Sequence, residues 1–170
     1  MRKRSDTPTR GEITDTVREQ EDQMSEGTEQ LNLTADDVDT VSDTLSELDF
    51  EGTSEGAERV RDSMESAQDV TVEVFDREDE QLDSVRQETE EYQQGLQERS
   101  DSSQSDLDKV NDTGARIQTK EAQAELDKAK EGLTEDMEFL DGQIERAGKA
   151  SEDTKQTQDQ LKSRVQGRRR

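Results

Sequence analysis

Residues 13–48 read ITDTVREQEDQMSEGTEQLNLTADDVDTVSDTLSEL, and the spacing of their apolar side chains decides the fold class. Steps of alternately four and three residues from Ile13 to Leu48 reach eleven positions, and eight of these are apolar. A repeat of 3.5 residues is typical of a helix that packs along a coiled-coil seam. The stretch therefore predicts one helix over about 12–48 whose apolar side lies against other helices.

The same repeat continues in two later stretches and predicts two more helices, over about 53–100 and 105–166. The first break is placed at residues 49–56, which hold two glycines, and the second at the serine-rich run 100–105. We expect an all-α fold, an elongated antiparallel coiled-coil bundle of about three long helices. A continuous helix through 100–105 is the main alternative. We treat residues 12–166 as a single helical domain between a basic arm, 1–11, and a basic tail, 167–170.

The side chains predicted to form the helix seam all stand at positions of this apolar repeat. They are Ile13, Val17, Met24, Leu31, Val38, Val41, Leu45, Leu48, Val60, Met64, Val74, Leu82, Val85, Tyr92, Leu96, Val110, Ile117, Leu126, Leu133, Met137, Leu140, Ile144, Leu161 and Val165. A four-residue insertion after Glu78 predicts a local unwinding of the supercoil. Between Ala147 and Leu161 the repeat meets mostly small or polar residues, so we expect loose packing there.

Charge is the second strong feature of the chain. Its 170 residues include 46 acidic and 23 basic side chains, a net charge of −23. Such a body repels nucleic acid and anionic lipid. Two basic segments stand apart as candidate docking residues, Arg2, Lys3 and Arg4 at one end and Arg168, Arg169 and Arg170 at the other. The acid excess also fits a high-salt cytoplasm, where screening weakens self-repulsion.

The absence of two residue types limits the catalytic and metal-binding chemistry that the chain can carry. The chain has no Cys and no His, which excludes disulfides, thiolate nucleophiles, imidazole bases and the usual zinc sites. The acidic runs 36–39, 76–80 and 88–91 lack the spacing of a calcium loop, so we interpret them as solvated helix faces. We expect no enzyme activity, no cofactor and no metal. We also expect no membrane-spanning segment and a cytoplasmic protein, with signal-less secretion as the alternative.

A short motif between the first two predicted helices resembles the turn of the WXG/LXG family of secreted helical hairpins. Phe50-Glu51-Gly52 stands where that family carries Trp-x-Gly or Leu-x-Gly, and the similarity covers roughly residues 31–95. The resemblance implies a hairpin exported by a secretion apparatus. The sequence departs from the family at the aromatic residue, and Tyr92 is followed four residues later by Leu96 instead of the acidic residue of the export signal.

These features predict a non-enzymatic structural, scaffold or assembly protein that acts through helix–helix contacts. Its partner would be another protein or a second copy of the chain, bound along the coiled-coil seams. One alternative is a secreted or translocated helical module of a secretion or injection apparatus. The other is a disordered, strongly hydrated stress protein, which the low apolar content of 24% allows.

Overall fold

The computed structural model describes residues 7–48 and 55–169, and almost all of them are helical. Helix α1 spans Arg10–Glu47, α2 spans Glu55–Arg116 and α3 spans Lys120–Gln166. Within those ranges there is no strand, and the three long helices pack against each other. The predicted all-α bundle is therefore confirmed.

Helix α1 begins two residues earlier than predicted because Thr9 caps it. The Thr9 hydroxyl oxygen accepts a hydrogen bond from the Glu12 amide at 3.2 Å, and the Thr9 carbonyl accepts the first helical bond, from Ile13. A threonine in this position satisfies an amide that has no partner inside the helix. Pro8 lies just before the cap, outside the helix.

The contacts divide the chain into two compact units. Unit 1 comprises Met1–Glu21 and Gln87–Ala150, and unit 2 comprises Asp22–Arg86 and Ser151–Arg170. Each unit contains a segment of all three helices.

Unit 1 has a small apolar core that joins its three helix segments. Ile13, Val17, Leu96, Leu140 and Ala147 are buried there, and the half-buried Tyr92, Phe139 and Ile144 pack against them. On α1 and α3, ion pairs join Arg10 to Asp136 and Glu21 to Arg146, so these two helices run in the same direction. The Arg10 guanidinium also lies 5.5 Å from the centre of the Phe139 ring, a cation–π contact.

The serine-rich run 100–105 is helical, so the predicted break at this place is wrong. Ser100 and Ser103 are buried, and their hydroxyls donate to Asp141 at 3.1 Å and to Asp136 at 3.4 Å on α3. Serine competes with the helix in isolation, but here its side chain is used across the helix interface. The alternative of a continuous helix through 100–105 describes this region correctly.

The chain reverses later than predicted, at residues 117–119. The side chain of Gln123, on the first turns of α3, donates to the carbonyl of Gly114 at 2.7 Å and to that of Ile117 at 2.6 Å. These carbonyls lie at the C-terminal end of α2, where backbone carbonyls have no N–H donor within the helix. Thr119 precedes α3, and its carbonyl accepts from the Gln123 amide at 3.0 Å.

Unit 2 repeats the arrangement with different side chains. Phe75 and Leu82 of α2 are 1% and 2% exposed, and Met24, Leu31 and Val38 of α1 are buried as well. The helices α1 and α2 approach closely at Gly27, where an added Cβ would lie only 2.7 Å from a Leu82 methyl carbon. Glycine at this point permits the close approach.

Candidate functional site: the polar layer, basic clasp and acidic groove of unit 2

The centre of unit 2 contains a buried glutamine. Gln158 of α3 is 1% exposed, and its amide nitrogen donates to the side chains of Asp79 and Asp83, each at 2.9 Å, and to the Asp79 carbonyl at 3.3 Å. Its side-chain oxygen accepts a hydrogen bond from Arg86 at 3.2 Å. A buried amide is tolerated only when its hydrogen bonds are made, so this layer holds α3 at one register against α2.

A second polar layer joins α1 to α2. The buried hydroxyl of Thr34 donates to the Glu78 carboxylate at 2.7 Å. Nearer the end of α1, Gln68 donates to the buried hydroxyl of Ser42 at 3.0 Å. Because the α2 partner numbers fall as the α1 numbers rise, the two helices are antiparallel.

Four cations at the end of α3 form what we call the basic clasp: Lys162, Arg164, Arg168 and Arg169. Arg164 contacts Asp36 at 2.6 Å and Asp39 at 2.5 Å, and Arg168 contacts Asp39 at 3.1 Å and Asp43 at 2.8 Å. These four contacts tie the end of α3 to one edge of α1. The sequence prediction of solvated acidic faces therefore does not hold for the run 36–39.

The other half of the clasp binds α2. Arg169 pairs with Asp76, and Lys162 contacts Asp79 at 3.0 Å. The hydrogen bond that Lys162 donates to Asp79 raises the pKa of Lys162, and burial opposes this effect. The hydrogen bonds that Arg164 donates to Asp36 and Asp39 likewise raise the pKa of Arg164. Both groups therefore hold their protons more tightly than in water.

Next to the clasp lies an open groove, which we call the acidic groove. It has a volume of about 480 Å³. Its lining residues are Leu45, Glu65, Gln68, Asp69, Val72, Glu73, Arg168 and Arg169. Glu65, Asp69 and Glu73 make no ion pair with any residue in the described ranges, whereas both arginines are held by the clasp. The groove therefore presents unneutralised carboxylates around an apolar floor of Leu45 and Val72.

The acidic groove continues the helix seam of α2. Steps of four and three residues from Asp79 lead to Phe75, Val72, Gln68 and Glu65, and the last three of these line the groove. Helix α3 ends at Gln166, and Gly167 and Arg168 form a turn. Within unit 2, the seam of α1 and α2 thus extends beyond the helical part of α3.

A second groove in unit 2, of about 510 Å³, lies over the close approach of α1 and α2. Amide and charged side chains surround it: Gln23, Glu26, Gln30, Arg77, Glu78 and Gln81. Its apolar lining consists of the side chains of Leu82 and Val85, and Leu82 already packs against Gly27.

The structure places most of the predicted seam residues in the interior. Ten are buried: Ile13, Val17, Met24, Leu31, Val38, Leu82, Leu96, Leu140, Leu161 and Val165. Half-buried are Val41, Leu45, Met64, Val74, Val85, Tyr92, Val110, Ile117, Leu126, Leu133, Met137 and Ile144. Leu48 and Val60 are exposed, at 36% and 49%, because they lie near the ends of their helices.

The structure describes two of the six predicted docking residues. Arg168 and Arg169 bind the chain's own aspartates in the basic clasp. Arg2, Lys3, Arg4 and Arg170 lie outside the described residues, and so does the motif Phe50-Glu51-Gly52.

Sequence reasoning missed the polar half of the core. Ser151, Thr154 and Gln158 are buried, so the expectation of loose packing after Ala147 is wrong.

The buried residues of α2 all fall on one uninterrupted repeat with alternating steps of four and three residues. They are Phe75, Asp79, Leu82, Thr89, Leu96, Ser100 and Ser103. This register needs no insertion after Glu78, and it continues through Leu107 to Ile117. A search that admitted serine, threonine and aspartate as core residues would have found it.

Among the described residues, no cluster of three acidic side chains is arranged to hold a metal ion. In the same ranges, no helix combines the length and the apolar content needed to cross a membrane. Comparison of the chain with protein families, with curated proteins and with solved structures gave no match.

Proposed function

We propose that this protein is a non-enzymatic assembly subunit that binds a further protein segment along its helix seam. The observation that supports this proposal is the acidic groove. There α1 and α2 present Leu45 and Val72, with the carboxylates of Glu65, Asp69 and Glu73, beyond the last helical residue of α3. An apolar floor bordered by unpaired charge is a surface that a charged, partly apolar segment can cover.

The use of the polar side chains in unit 2 supports a structural role. Asp79 and Gln158 bind each other across the interface of α2 and α3, and Thr34 binds Glu78 between α1 and α2. Buried polar layers of this kind set the register and the partner of a helix, at some cost in stability. Their hydrogen bonds are used for packing, which is what a scaffold requires.

Charge selects the kind of partner. With a net charge of −23, the chain repels polyanions, so the proposal does not include nucleic acid or an anionic membrane surface. A partner segment with basic residues is attracted, and the attraction increases its rate of association. The partner is another protein or a second copy of the chain.

Sedimentation velocity of the purified chain over a wide concentration range tests the proposal, at about 0.1 M and about 2 M salt. We expect a mass that rises with concentration, or a stable complex with a basic helical partner. Leu45→Gln should weaken either association because it removes the apolar floor of the groove. The control Leu33→Gln, at a leucine that is 58% exposed, should not. A chain that stays monomeric and binds no basic partner contradicts the proposal.

A further inference from the structure

We propose that the end of α3 is a salt-sensitive latch over the seam of α1 and α2. The latch comprises residues 161–169, which are the last turns of α3 and the chain that follows them. It is closed in this structure, and added salt opens it. The inference concerns the opening of one segment, so it goes beyond the proposed function and does not depend on which partner binds.

The latch is attached to its neighbours by charge. Six ion pairs of the basic clasp join its nine residues to α1 and α2. Asp39 is shared by Arg164 at 2.5 Å and Arg168 at 3.1 Å, so the pairs form a network. The three arginines of the clasp are 36–44% exposed, so dissolved ions reach them. Because the Debye length falls from about 10 Å at 0.1 M salt to about 3 Å at 1 M, added salt weakens these contacts.

The apolar attachment of the latch is small and ends early. Leu161 and Val165 are its buried apolar side chains. After Val165, the side chain of Gln68 donates to the Arg168 carbonyl over a long 3.4 Å. A cavity of about 100 Å³ also lies at this place, lined by Ser42, Leu45, Ser46, Gln68, Gly167 and Arg168. Close packing is what holds a segment independently of salt, and it is incomplete here.

The preceding part of α3, residues 151–160, is attached in a different way. Ser151, Thr154 and Gln158 are buried there, and Gln158 donates to Asp79 and Asp83 at 2.9 Å. Buried contacts are screened much less than exposed ones. Salt also relieves the self-repulsion of a chain with a net charge of −23, which stabilises its helices. We therefore expect salt to loosen the latch while it stabilises the segment next to it.

Opening of the latch enlarges the surface that α1 and α2 present. Val38 and Ser42 of α1 are buried, and they lie next to Asp39 and Asp43, which bind the latch. Leu45 follows one turn later and lines the acidic groove. Release of the latch therefore extends the apolar floor of the groove along α1.

Hydrogen–deuterium exchange of the full chain, read by mass spectrometry at about 0.1 M and about 1 M sodium chloride, tests the inference. The latch variant carries Arg164→Gln, Arg168→Gln and Arg169→Gln. The control variant carries Arg59→Gln, Arg77→Gln and Lys155→Gln, three exposed cations of unit 2 outside the latch, with the same change in charge. Circular dichroism checks that each variant is folded. The salt response of the unchanged chain needs no substitution, so it stands even where a variant fails to fold.

We expect exchange in residues 161–169 of the unchanged chain to be at least about fivefold faster at the higher salt, since several exposed ion pairs weaken together. Exchange in residues 151–160 should stay the same or slow down. The latch variant should exchange fast in 161–169 at both salt concentrations. The control variant should behave as the unchanged chain does. Opposite responses of the two segments are decisive, because a general effect of salt changes both in the same direction.

Three results overturn the inference. If exchange in 161–169 slows with salt as it does in 151–160, charge does not hold the latch closed. If the latch variant is as protected as the unchanged chain at low salt, the ion pairs contribute nothing to closure. If the control variant opens the latch equally, net charge is the cause and not the clasp. None of these results bears on the proposed function, which sedimentation tests separately.

Discussion

Replacing Gln158 by leucine should destabilise the protein, although leucine is the more apolar residue and Gln158 is only 1% exposed. On burial alone, the substitution gains about 2 kcal/mol. Against this gain stand the hydrogen bonds of the glutamine amide to Asp79 and Asp83, both at 2.9 Å.

The two aspartates differ in their access to water, and this sets the magnitude. The Asp83 side chain is 48% exposed, so water replaces the lost bond at little cost. The Asp79 side chain is 11% exposed and loses a charge-assisted bond worth about 1.5–3 kcal/mol. Arg86 loses an acceptor in a site where its side chain is 17% exposed, which adds about 1 kcal/mol. The balance is a net loss of about 0.5–2 kcal/mol.

Urea unfolding followed by circular dichroism measures this loss as a lower midpoint at an unchanged slope. The control Gln160→Leu, at an exposed position of the same helix, should stay within about 0.5 kcal/mol. The double variant Gln158→Leu with Asp79→Leu should recover most of the loss, because both hydrogen-bonding partners are then gone and Lys162 can turn to solvent. A single variant Gln158→Leu that is more stable than the unchanged chain refutes the reasoning.

Three further tests, two of them with a comparison variant, address the packing and the electrostatics. Phe75→Ala should cost about 3–5 kcal/mol in urea unfolding because it empties the core of unit 2, whereas Val74→Ala, at a half-buried site, should cost under about 1.5 kcal/mol. The pKa of Lys162 is raised above 10.5 in the folded chain, so its contribution to stability is complete below pH 10.5 and is lost as the pH rises through the folded-state value. Lys162→Met should remove that part of the alkaline loss, and an identical pH profile would contradict the ion pair. Gly132→Ala should raise the free energy of unfolding by about 0.5–1 kcal/mol, since nothing lies within 4 Å of the added Cβ. At Gly27 the same change should give no such gain, because the Cβ would lie 2.7 Å from a leucine side-chain carbon; equal midpoints for the two alanine variants would contradict the close approach of α1 and α2.

The helical fold could be predicted because the apolar repeat of α1 is a local property of the sequence. Ile13, Val17, Met24, Leu31 and Val38 are spaced by the geometry of a helix, and all five are buried. The end of α2 could not be located in the same way. The serines at 100–105 favour a turn when only neighbours are considered, and no local rule indicates that Asp136 and Asp141 accept hydrogen bonds from two of them.

The candidate site was likewise predictable only in part. Its ingredients could be recognised in the sequence: the acidic runs, the basic tail and the polar positions of the α3 repeat, including Gln158. Their pairing could not, because Arg164 and Asp39 are 125 residues apart in the chain and meet at 2.5 Å only when α3 lies against α1.

The sequence by itself determined that the chain forms long helices, since periodicity and the absence of interior proline act over a few turns. It also determined that disulfides and the usual zinc sites are excluded, because no Cys or His is present. The tertiary structure alone decided where α2 reverses into α3, which polar side chains are buried, and where an open groove lies. Each of these depends on the free energy of placing one side chain against another helix, and that free energy is set by residues far away in the sequence.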